Sequence, residues 1–167
     1  MILGTCSKPV RVLFLCTGNY YRSRLAEELL RHHAHQADLE IECDSAGLGK
    51  IPNLSNPGPI GIAALGYLRT HGVRSLSVAR YPKKWTPSDL QAADFIVCMN
   101  EREHRSLLDG QARPFLNHSQ VLYWHIPDVA EDPDLMGPEL IDQNVRGLLA
   151  GLRDGAPARN GRSPTPI

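Results

Sequence analysis

The sequence is 167 residues long, which fits one domain of ordinary size and leaves little room for a second. A hydrophobic fraction of 42% and a charged fraction of 22% are typical of globular proteins and exclude a wholly disordered chain. The 18 basic residues equal the 18 acidic residues in number, so the chain lacks the net positive charge that is typical of nucleic-acid-binding proteins. We therefore expect no nucleic-acid partner.

The chain shows no pattern of a membrane or export segment. No apolar run approaches the roughly 20 residues that cross a bilayer, and residues 1–9 lack the basic-then-apolar order of a signal peptide. We expect a cytoplasmic protein with no membrane partner. Cys6, Cys16, Cys43 and Cys98 show neither CxxC nor zinc-finger histidine spacing. We therefore expect no metal, no cofactor and no disulfide framework, which leaves at least one thiol free as a nucleophile.

Periodicity and turn residues predict alternating strands and helices. In chain order we predict a strand at 10–16, a helix at 24–31, a strand at 39–44, helices at 60–71 and 87–92, a strand at 94–99, a helix at 101–108, a strand at 120–125 and a helix at 138–153. This alternation favours an α/β fold of three layers, with a four-stranded parallel sheet between helices on both faces. Ligands bind outside the carboxyl ends of such strands, so we expect the site just after Cys16, Met99 or His125.

The domain boundaries follow from the same pattern. We assign residues 10–154 to the catalytic domain and residues 1–9 to a flexible lead-in. Residues 155–167 are rich in Pro, Gly and Ser without periodicity, so we expect a disordered tail there.

The first predicted strand ends in a motif suited to a tetrahedral anion. Cys16-Thr-Gly-Asn-Tyr-Tyr-Arg-Ser23 places a thiol, five loop residues and a guanidinium between a strand end and a helix start. The helix N-terminus and Arg22 both favour the thiolate, which is the nucleophilic form of cysteine. Five loop residues suffice for backbone N–H groups to surround an oxyanion, and Arg22 adds a bidentate grip. Ser23 lies where it can donate a hydrogen bond to the thiolate.

A bare Cys-x5-Arg pattern would also be produced by a buried cysteine beside a surface arginine, but its position between strand and helix favours function. With its surroundings, the motif resembles the low-molecular-weight protein tyrosine phosphatases, which share their fold with thioredoxin-coupled arsenate reductases. The resemblance runs from Val10 to Leu152. Its landmarks are residues 12–23, Ala26-Glu27, Ser45-Ala-Gly47, Gly72 with Ala79-Arg80, and residues 94–99.

The resemblance implies a phosphate-binding loop after the first strand and a metal-free mechanism with a cysteinyl-phosphate intermediate. Cys16 would attack phosphorus, while an Asp would protonate the leaving oxygen and later activate water. Asn19 and Ser45 match family positions whose side chains brace the loop. The residues that the resemblance assigns to phosphate binding are Thr17, Gly18, Asn19, Tyr20, Tyr21, Arg22 and Ser23.

Two positions depart from the family pattern. Tyr21 stands where many members have a second cysteine that forms a protective disulfide with the nucleophile, so we expect that disulfide to be missing. Ser77 stands where some members have a histidine in the loop-bracing network. Tyr20 and Tyr21 either line the mouth of the pocket or pack against the edge of the sheet, and the sequence favours neither arrangement.

Two aspartates compete for the role of general acid. Asp132-Pro133 matches the Asp-Pro dipeptide that is usual in the family, but the aromatic residues that follow it in tyrosine phosphatases are absent. Asp128 follows the last strand directly, at a distance from Trp124 that resembles the arsenate reductases and relatives with a Tyr-Tyr-Arg loop. We therefore favour Asp128 and retain Asp132 as the second candidate.

The sequence thus predicts a phosphomonoester hydrolase whose substrate is a phosphorylated protein or a small phosphomonoester. Phosphotyrosine is the default that the resemblance implies. Thr17 also occurs in members that resemble protein-arginine phosphatases, which makes phosphoarginine an alternative substrate. Two further candidate functions are a thiol-dependent arsenate reductase and a catalytically weak oxyanion-binding protein. For the reductase, Cys98 stands alone in a predicted strand without a nearby partner cysteine.

Overall fold

The computed structural model describes residues 8–75, 77–116 and 119–155, which form alternating strands and helices. The strands are β1 (Val10–Cys16), β2 (Ile41–Gly47), β3 (Phe95–Cys98) and β4 (Gln120–Tyr123). The helices are α1 (Arg22–Gln36), α2 (Ile62–Thr70), α3 (Pro87–Ala92), α4 (Glu101–Gln111) and α5 (Gly137–Arg153). Short 3-10 turns occur at Arg113–Phe115 and Val129–Glu131.

The four strands form one parallel sheet in the order β2-β1-β3-β4. In the register of this sheet, Cys16 lies beside Gly47, and Cys98 lies between Leu15 and Tyr123. The carboxyl ends of the strands therefore meet at one edge. The predicted fold, a four-stranded parallel sheet with a loop after the first strand, is confirmed.

The strand β1 contributes to two hydrophobic cores because its side chains alternate between the faces of the sheet. Val12 and Phe14 pack on one face against α1, α2 and α5. Leu13 and Leu15 pack on the other face, which Leu90 of α3 and Leu108 of α4 cover. Helices thus lie on both faces, as the sequence predicts.

Element bounds differ from the predicted ones at two informative places. The helix α1 begins at Arg22, so Arg22 and Ser23 belong to its first turn instead of preceding it. The strand β2 spans Ile41–Gly47, which corrects the predicted range of 39–44. Residues 45–47 continue the strand because they pair with residues 14–16 of β1.

The helix α3 begins with a full capping box. Thr86 Oγ1 accepts a hydrogen bond from the Asp89 N–H, and the Asp89 carboxylate accepts one from the Thr86 N–H. Within the described ranges, no helix is long and apolar enough to cross a bilayer. Most of the predicted lead-in (1–9) and tail (155–167) lies outside the described residues.

Candidate active site

Cys16 is the last residue of β1, at the edge where the strands end. Its Sγ lies 3.0 Å from Ser23 Oγ and accepts a hydrogen bond from the Asn19 N–H at 3.2 Å. Only five residues separate Cys16 from the start of α1 at Arg22, and the first N–H groups of a helix have no intrahelical acceptor. The thiol therefore lies beside hydrogen-bond donors and the positive end of a helix dipole.

Asn19 holds the phosphate loop (residues 16–23) in shape. Its φ of 48° lies in the left-handed region, which Asn tolerates better than most residues. Its Nδ2 donates to Ser23 Oγ at 3.0 Å and to Ser45 Oγ at 2.9 Å. Its Oδ1 accepts from the Lys83 N–H at 3.0 Å and from Arg80 Nη1 at 3.2 Å. The fully buried Asn19 therefore ties the loop to β2 and to the segment before α3.

A buried carboxylate continues this network beneath the loop. Glu27 Oε2 accepts hydrogen bonds from Ser45 Oγ at 2.6 Å and from Arg80 Nη2 at 3.0 Å. Its Oε1 accepts one from Arg31 Nη2 at 2.7 Å. The two guanidinium groups offset the cost of burying the Glu27 charge, so the network is anchored to α1.

Arg24 is a second buried charge that organises the loops around the site. Its guanidinium, fully inaccessible to solvent, donates to the carbonyl oxygens of Pro59, Ser77 and Arg80 at 2.6–2.9 Å. Burial and the nearby Arg80 charge lower its pKa. Ser77, the position where some relatives have a histidine, donates its hydroxyl to the buried Glu28. The Ser77 hydroxyl therefore bonds to a carboxylate of α1, and it is not among the hydrogen-bond partners of Asn19 in the described part of the chain.

Arg22 lies at the start of α1 with only 3% of its side chain exposed. Its Nη1 and Nη2 donate to the two carboxylate oxygens of Glu103, each at 2.8 Å, and Nη1 also donates to the Ile126 carbonyl at 3.1 Å. Burial is the largest single influence and acts to lower the pKa of Arg22. The Glu103 hydrogen bonds and the nearby negative charges together outweigh it, so the pKa of Arg22 is raised. The same hydrogen bonds lower the pKa of Glu103.

Five of the seven predicted phosphate-binding residues line a small pocket of about 130 Å³, whereas Asn19 and Ser23 are fully buried and do not line it. Its lining consists of Cys16, Thr17, Gly18, Tyr20, Tyr21, Arg22, Asn53, Asn56 and Asp128. A neighbouring cavity of about 510 Å³ shares Thr17, Gly18 and Asn53 with the pocket and extends toward Lys50 and Leu54. A tetrahedral oxyanion fits the smaller pocket, and the neighbouring cavity leaves space for the rest of the substrate.

The two candidate acids occupy different environments. Asp128 lines the pocket, is about half exposed, and has Oδ2 3.7 Å from Arg22 Nη2. Asp132 is buried, and its carboxylate accepts hydrogen bonds from the N–H groups of Met136 (3.0 Å) and Gly137 (2.6 Å) at the start of α5. Asp132 therefore caps a helix, whereas Asp128 faces the thiol-containing pocket.

Comparison with known proteins agrees with this arrangement. The family model described as "Low molecular weight phosphotyrosine protein phosphatase" matches residues 11–153. The chain belongs to this family. A relative of that name from Schizosaccharomyces pombe is 32% identical over 119 residues, which cover 70% of this chain and 71% of the relative. The predicted resemblance and the predicted hydrolase class are therefore confirmed.

Solved structures show the same fold. YfkJ from Bacillus subtilis has a TM-score of 0.75 and 24% identity, covering 90% of this chain and 98% of YfkJ. A thioredoxin-dependent arsenate reductase from Corynebacterium glutamicum has a TM-score of 0.65 and 26% identity, covering 90% of this chain and 65% of the reductase. The phosphatase family thus shares its fold with a reductase, as the sequence comparison implies.

The paired tyrosines take different positions in this member of the phosphatase family. Tyr20 is partly exposed at the pocket, and its hydroxyl donates to the Pro57 carbonyl at 2.7 Å. Tyr21 is 5% exposed and belongs to the hydrophobic core formed with α1 and α5. Burial, with a smaller contribution from Asp132, raises the pKa of the Tyr21 hydroxyl. Tyr21 therefore both lines the pocket and packs inward, which combines the two predicted arrangements.

Several residues of the site are not identified from the sequence. Glu103, Lys83 and Asn56 come from segments far from residues 16–23 in the chain, and no local pattern marks them. Glu103 follows the third predicted strand, at a strand end where the sequence places a possible site. That position is the signal by which Glu103 could be found.

The other described cysteines lie in less reactive surroundings. Burial raises the pKa of both Cys43 and Cys98 to about 12. Cys43 lines a larger cavity of about 760 Å³ near the amino ends of β1 and β2, where Arg11 pairs with Glu42 at 2.6 Å. That cavity contains no residue of the phosphate loop. Its cysteine has the raised pKa of a structural thiol.

Proposed function

We propose that the protein hydrolyses phosphotyrosine in protein substrates, with Cys16 as nucleophile and Asp128 as general acid and base. The observation that carries the proposal is the pocket itself. It contains Cys16, Arg22 and Asp128 within about 130 Å³, and Ser23 Oγ lies 3.0 Å from the Cys16 sulfur. The phosphotyrosine phosphatases that the chain resembles by sequence support the substrate class.

In the first step, the Cys16 thiolate attacks phosphorus and the bond from phosphorus to the tyrosyl oxygen breaks. Asp128, in its protonated form, gives its proton to that oxygen, so the product leaves as a neutral phenol. Arg22 and the N–H groups at the start of α1 stabilise the equatorial oxygens, whose negative charge persists through the transition state. The thiolate is held for attack by the Asn19 N–H and Ser23.

In the second step, water attacks phosphorus and the bond from sulfur to phosphorus breaks. Asp128 is now ionised and takes a proton from that water, which restores its acid form. The Ser23 hydroxyl donates to the Cys16 sulfur as it leaves with the electron pair. Inorganic phosphate departs and the thiolate is regenerated.

The geometry supports Asp128 over Asp132 as the acid. A general acid must reach the leaving oxygen, and Asp128 lines the pocket with its carboxylate about half exposed. Both oxygens of Asp132 accept hydrogen bonds from N–H groups that open α5. Asp132 is buried and is not among the residues that line the pocket, so its carboxylate has no direct path to the leaving oxygen.

The contacts of Thr17 support phosphotyrosine over phosphoarginine. Thr17 Oγ1 lies 3.4 Å from Glu103 Oε2 and 3.2 Å from His104 Nε2, so its hydroxyl faces α4. A hydroxyl with these partners is not available to recognise the guanidinium of a substrate. Arsenate reduction has less support, because burial raises the pKa of Cys98 to about 12 and leaves it unsuited to attack an arsenate adduct.

We also propose a cytoplasmic location, on chemical grounds. The mechanism requires Cys16 as a free thiolate, and reducing compartments keep such thiols reduced. Cys16, Cys43 and Cys98 are all free thiols in the structure.

The test is hydrolysis of p-nitrophenyl phosphate from pH 4.5 to 8 by the wild type, Cys16→Ser and the matched control Cys43→Ser. We expect Cys16→Ser to abolish turnover and Cys43→Ser to retain it. Peptides that carry phosphotyrosine, phosphoserine or phosphoarginine then identify the substrate, with phosphotyrosine expected to give the highest kcat/KM. A wild type without turnover, or a Cys16→Ser variant with full turnover, would contradict the proposed chemistry.

A further inference from the structure

The guanidinium of Arg22 has one edge engaged by protein and one edge open. Its Nη1–Nη2 edge donates to both oxygens of Glu103, and the second Nη1 proton reaches the Ile126 carbonyl. A guanidinium has five N–H donors in a fixed plane. The Nε–Nη2 edge makes no hydrogen bond to the described residues, with Asp128 Oδ2 3.7 Å from Nη2, and so keeps two parallel donors for the oxyanion. Because the group is planar, fixing one edge fixes the direction of the other.

Glu103 is itself held by a chain of hydrogen bonds whose directions can be assigned. The Asn100 N–H donates to His104 Nδ1 at 3.0 Å, so a neutral His104 carries its proton on Nε2. That proton is donated to Thr17 Oγ1 at 3.2 Å, the nearer of two acceptors, since Glu103 Oε2 lies 3.4 Å from His104 Nε2. The Thr17 hydroxyl then has its own proton free to donate to Glu103 Oε2 at 3.4 Å. The chain of hydrogen bonds runs from the backbone of Asn100, just before α4, through Thr17 of the phosphate loop to the Glu103 carboxylate that binds Arg22.

The surroundings of His104 keep this chain in one arrangement. His104 is fully buried, and burial together with the Arg22 charge lowers its pKa to about 4. It therefore stays neutral at the pH values of the assay above about 5, because fewer than about one molecule in ten is protonated one unit above the pKa. A protonated His104 could no longer accept from the Asn100 N–H.

We propose that Glu103 is the positioning residue of Arg22, and that Thr17 and His104 orient Glu103 in turn. This inference rests on the proposed function, since it assigns a task within the same site. Glu103 is not among the residues that line the pocket. Its task is to direct the Nε–Nη2 edge of Arg22 toward the oxyanion, where a small misalignment is costly.

A role for Glu103 in charge balance alone predicts the opposite change in phosphate affinity. If Glu103 merely balanced the charge of Arg22, removing its negative charge would strengthen phosphate binding and leave kcat unchanged or higher. If it positions Arg22, removing the charge releases the guanidinium, and both phosphate binding and kcat become weaker. The sign of the change in phosphate affinity therefore distinguishes the two roles.

The experiment compares Glu103→Gln with Glu101→Gln, a matched control on the same helix whose side chain pairs with the exposed Arg105. For Glu103→Gln we expect kcat/KM for p-nitrophenyl phosphate to fall about 10- to 100-fold, the range for misplacing a catalytic group. Inhibition by inorganic phosphate should weaken as well. Glu101→Gln should stay within about twofold of the wild type. Unchanged kcat/KM or tighter phosphate inhibition in Glu103→Gln would overturn the proposal.

A double-mutant cycle with Arg22→Lys separates positioning from a general structural role. A lysine has no planar edge to direct, so Glu103→Gln should reduce kcat/KM less than about threefold in the Arg22→Lys background. Equal reductions in both backgrounds would contradict the inference. Thermal unfolding of each variant shows whether folding is intact. The variant Glu103→Asp keeps the negative charge and should retain more activity than Glu103→Gln.

The positioning role of Glu103 can be tested even if the protein shows no phosphatase activity. If the wild type binds phosphate but does not turn over, calorimetric titration of wild type and Glu103→Gln with inorganic phosphate decides it. Weaker binding by Glu103→Gln supports the positioning role, whereas equal or tighter binding overturns it. A wild type that binds no phosphate also overturns it.

Discussion

The phosphate loop and the loop that carries Asp128 line the same pocket, but they have opposite physical properties. Asn19 and Ser23 are fully buried and hydrogen-bonded to each other. In the acid loop, residues 125–136, Asp128 is about half exposed, and Val129 and Met136 expose 41% and 55% of their surfaces. Charge stabilisation requires dipoles that are already oriented, whereas an acid must exchange protons with water and meet different leaving groups. One half of the site is built for rigidity and the other for access.

The largest expected effect is that of Asp128→Asn, which tests whether the exposed aspartate of the acid loop protonates the leaving oxygen. Asp128→Asn should lower kcat for a phosphotyrosine peptide about 100- to 10,000-fold, because no group then protonates the phenol oxygen. The loss on p-nitrophenyl phosphate should be smaller, since nitrophenolate leaves without a proton. Steady-state kinetics on both substrates measure the difference.

The matched control is Asp132→Asn, which changes the other aspartate of the same loop. Asn can still cap a helix, so activity should stay near that of the wild type. A large loss in Asp132→Asn together with a small one in Asp128→Asn would reverse the assignment of the acid.

A second prediction tests the rigidity of the phosphate loop. Asn19→Ala should lower the free energy of unfolding by about 2–4 kcal/mol, because buried partners such as Ser45 and Arg80 lose hydrogen bonds. Asn19→Gly should lose about 1 kcal/mol less, since glycine adopts the φ of 48° without strain. Urea denaturation measures both values. As a control, Asn53→Ala in an exposed loop should change stability by less than about 0.5 kcal/mol.

The smallest expected effect concerns the neutral histidine behind the phosphate loop. The pKa of His104 is lowered in the folded protein. As the pH falls toward 6, the unfolded chain therefore protonates this histidine while the folded protein keeps it neutral. Stability is therefore lost as the pH falls, and this group contributes about 0.8 kcal/mol of loss between pH 7.5 and 6. The variant His104→Gln should lose that much less over the same interval in urea denaturation. An equal pH dependence in both proteins would show that His104 takes up a proton when folded.

The sequence predicts the parts of the molecule that depend on neighbouring residues. The segment from β1 to α1 follows from an apolar run, turn residues and a helical period, and the Thr86 capping box follows from four consecutive residues. The pairing of Arg22 with Glu103 depends on β1 lying beside β3, which brings the starts of α1 and α4 together, and no local pattern encodes that pairing. The choice between the two aspartates likewise depended on which carboxylate the start of α5 engages. The Asp-Pro dipeptide contains no such information.

The two connected cavities have a consequence for inhibitor design. A phosphate mimic that fills the pocket of about 130 Å³ would contact groups that any phosphatase of this mechanism must supply, so it offers little selectivity. The adjoining cavity of about 510 Å³ is within the size range of drug-binding pockets, and its lining includes Lys50, Pro52 and Leu54. These side chains have no part in the chemistry. An inhibitor with a small anionic head and an uncharged arm toward Leu54 would therefore derive its affinity from one cavity and its selectivity from the other.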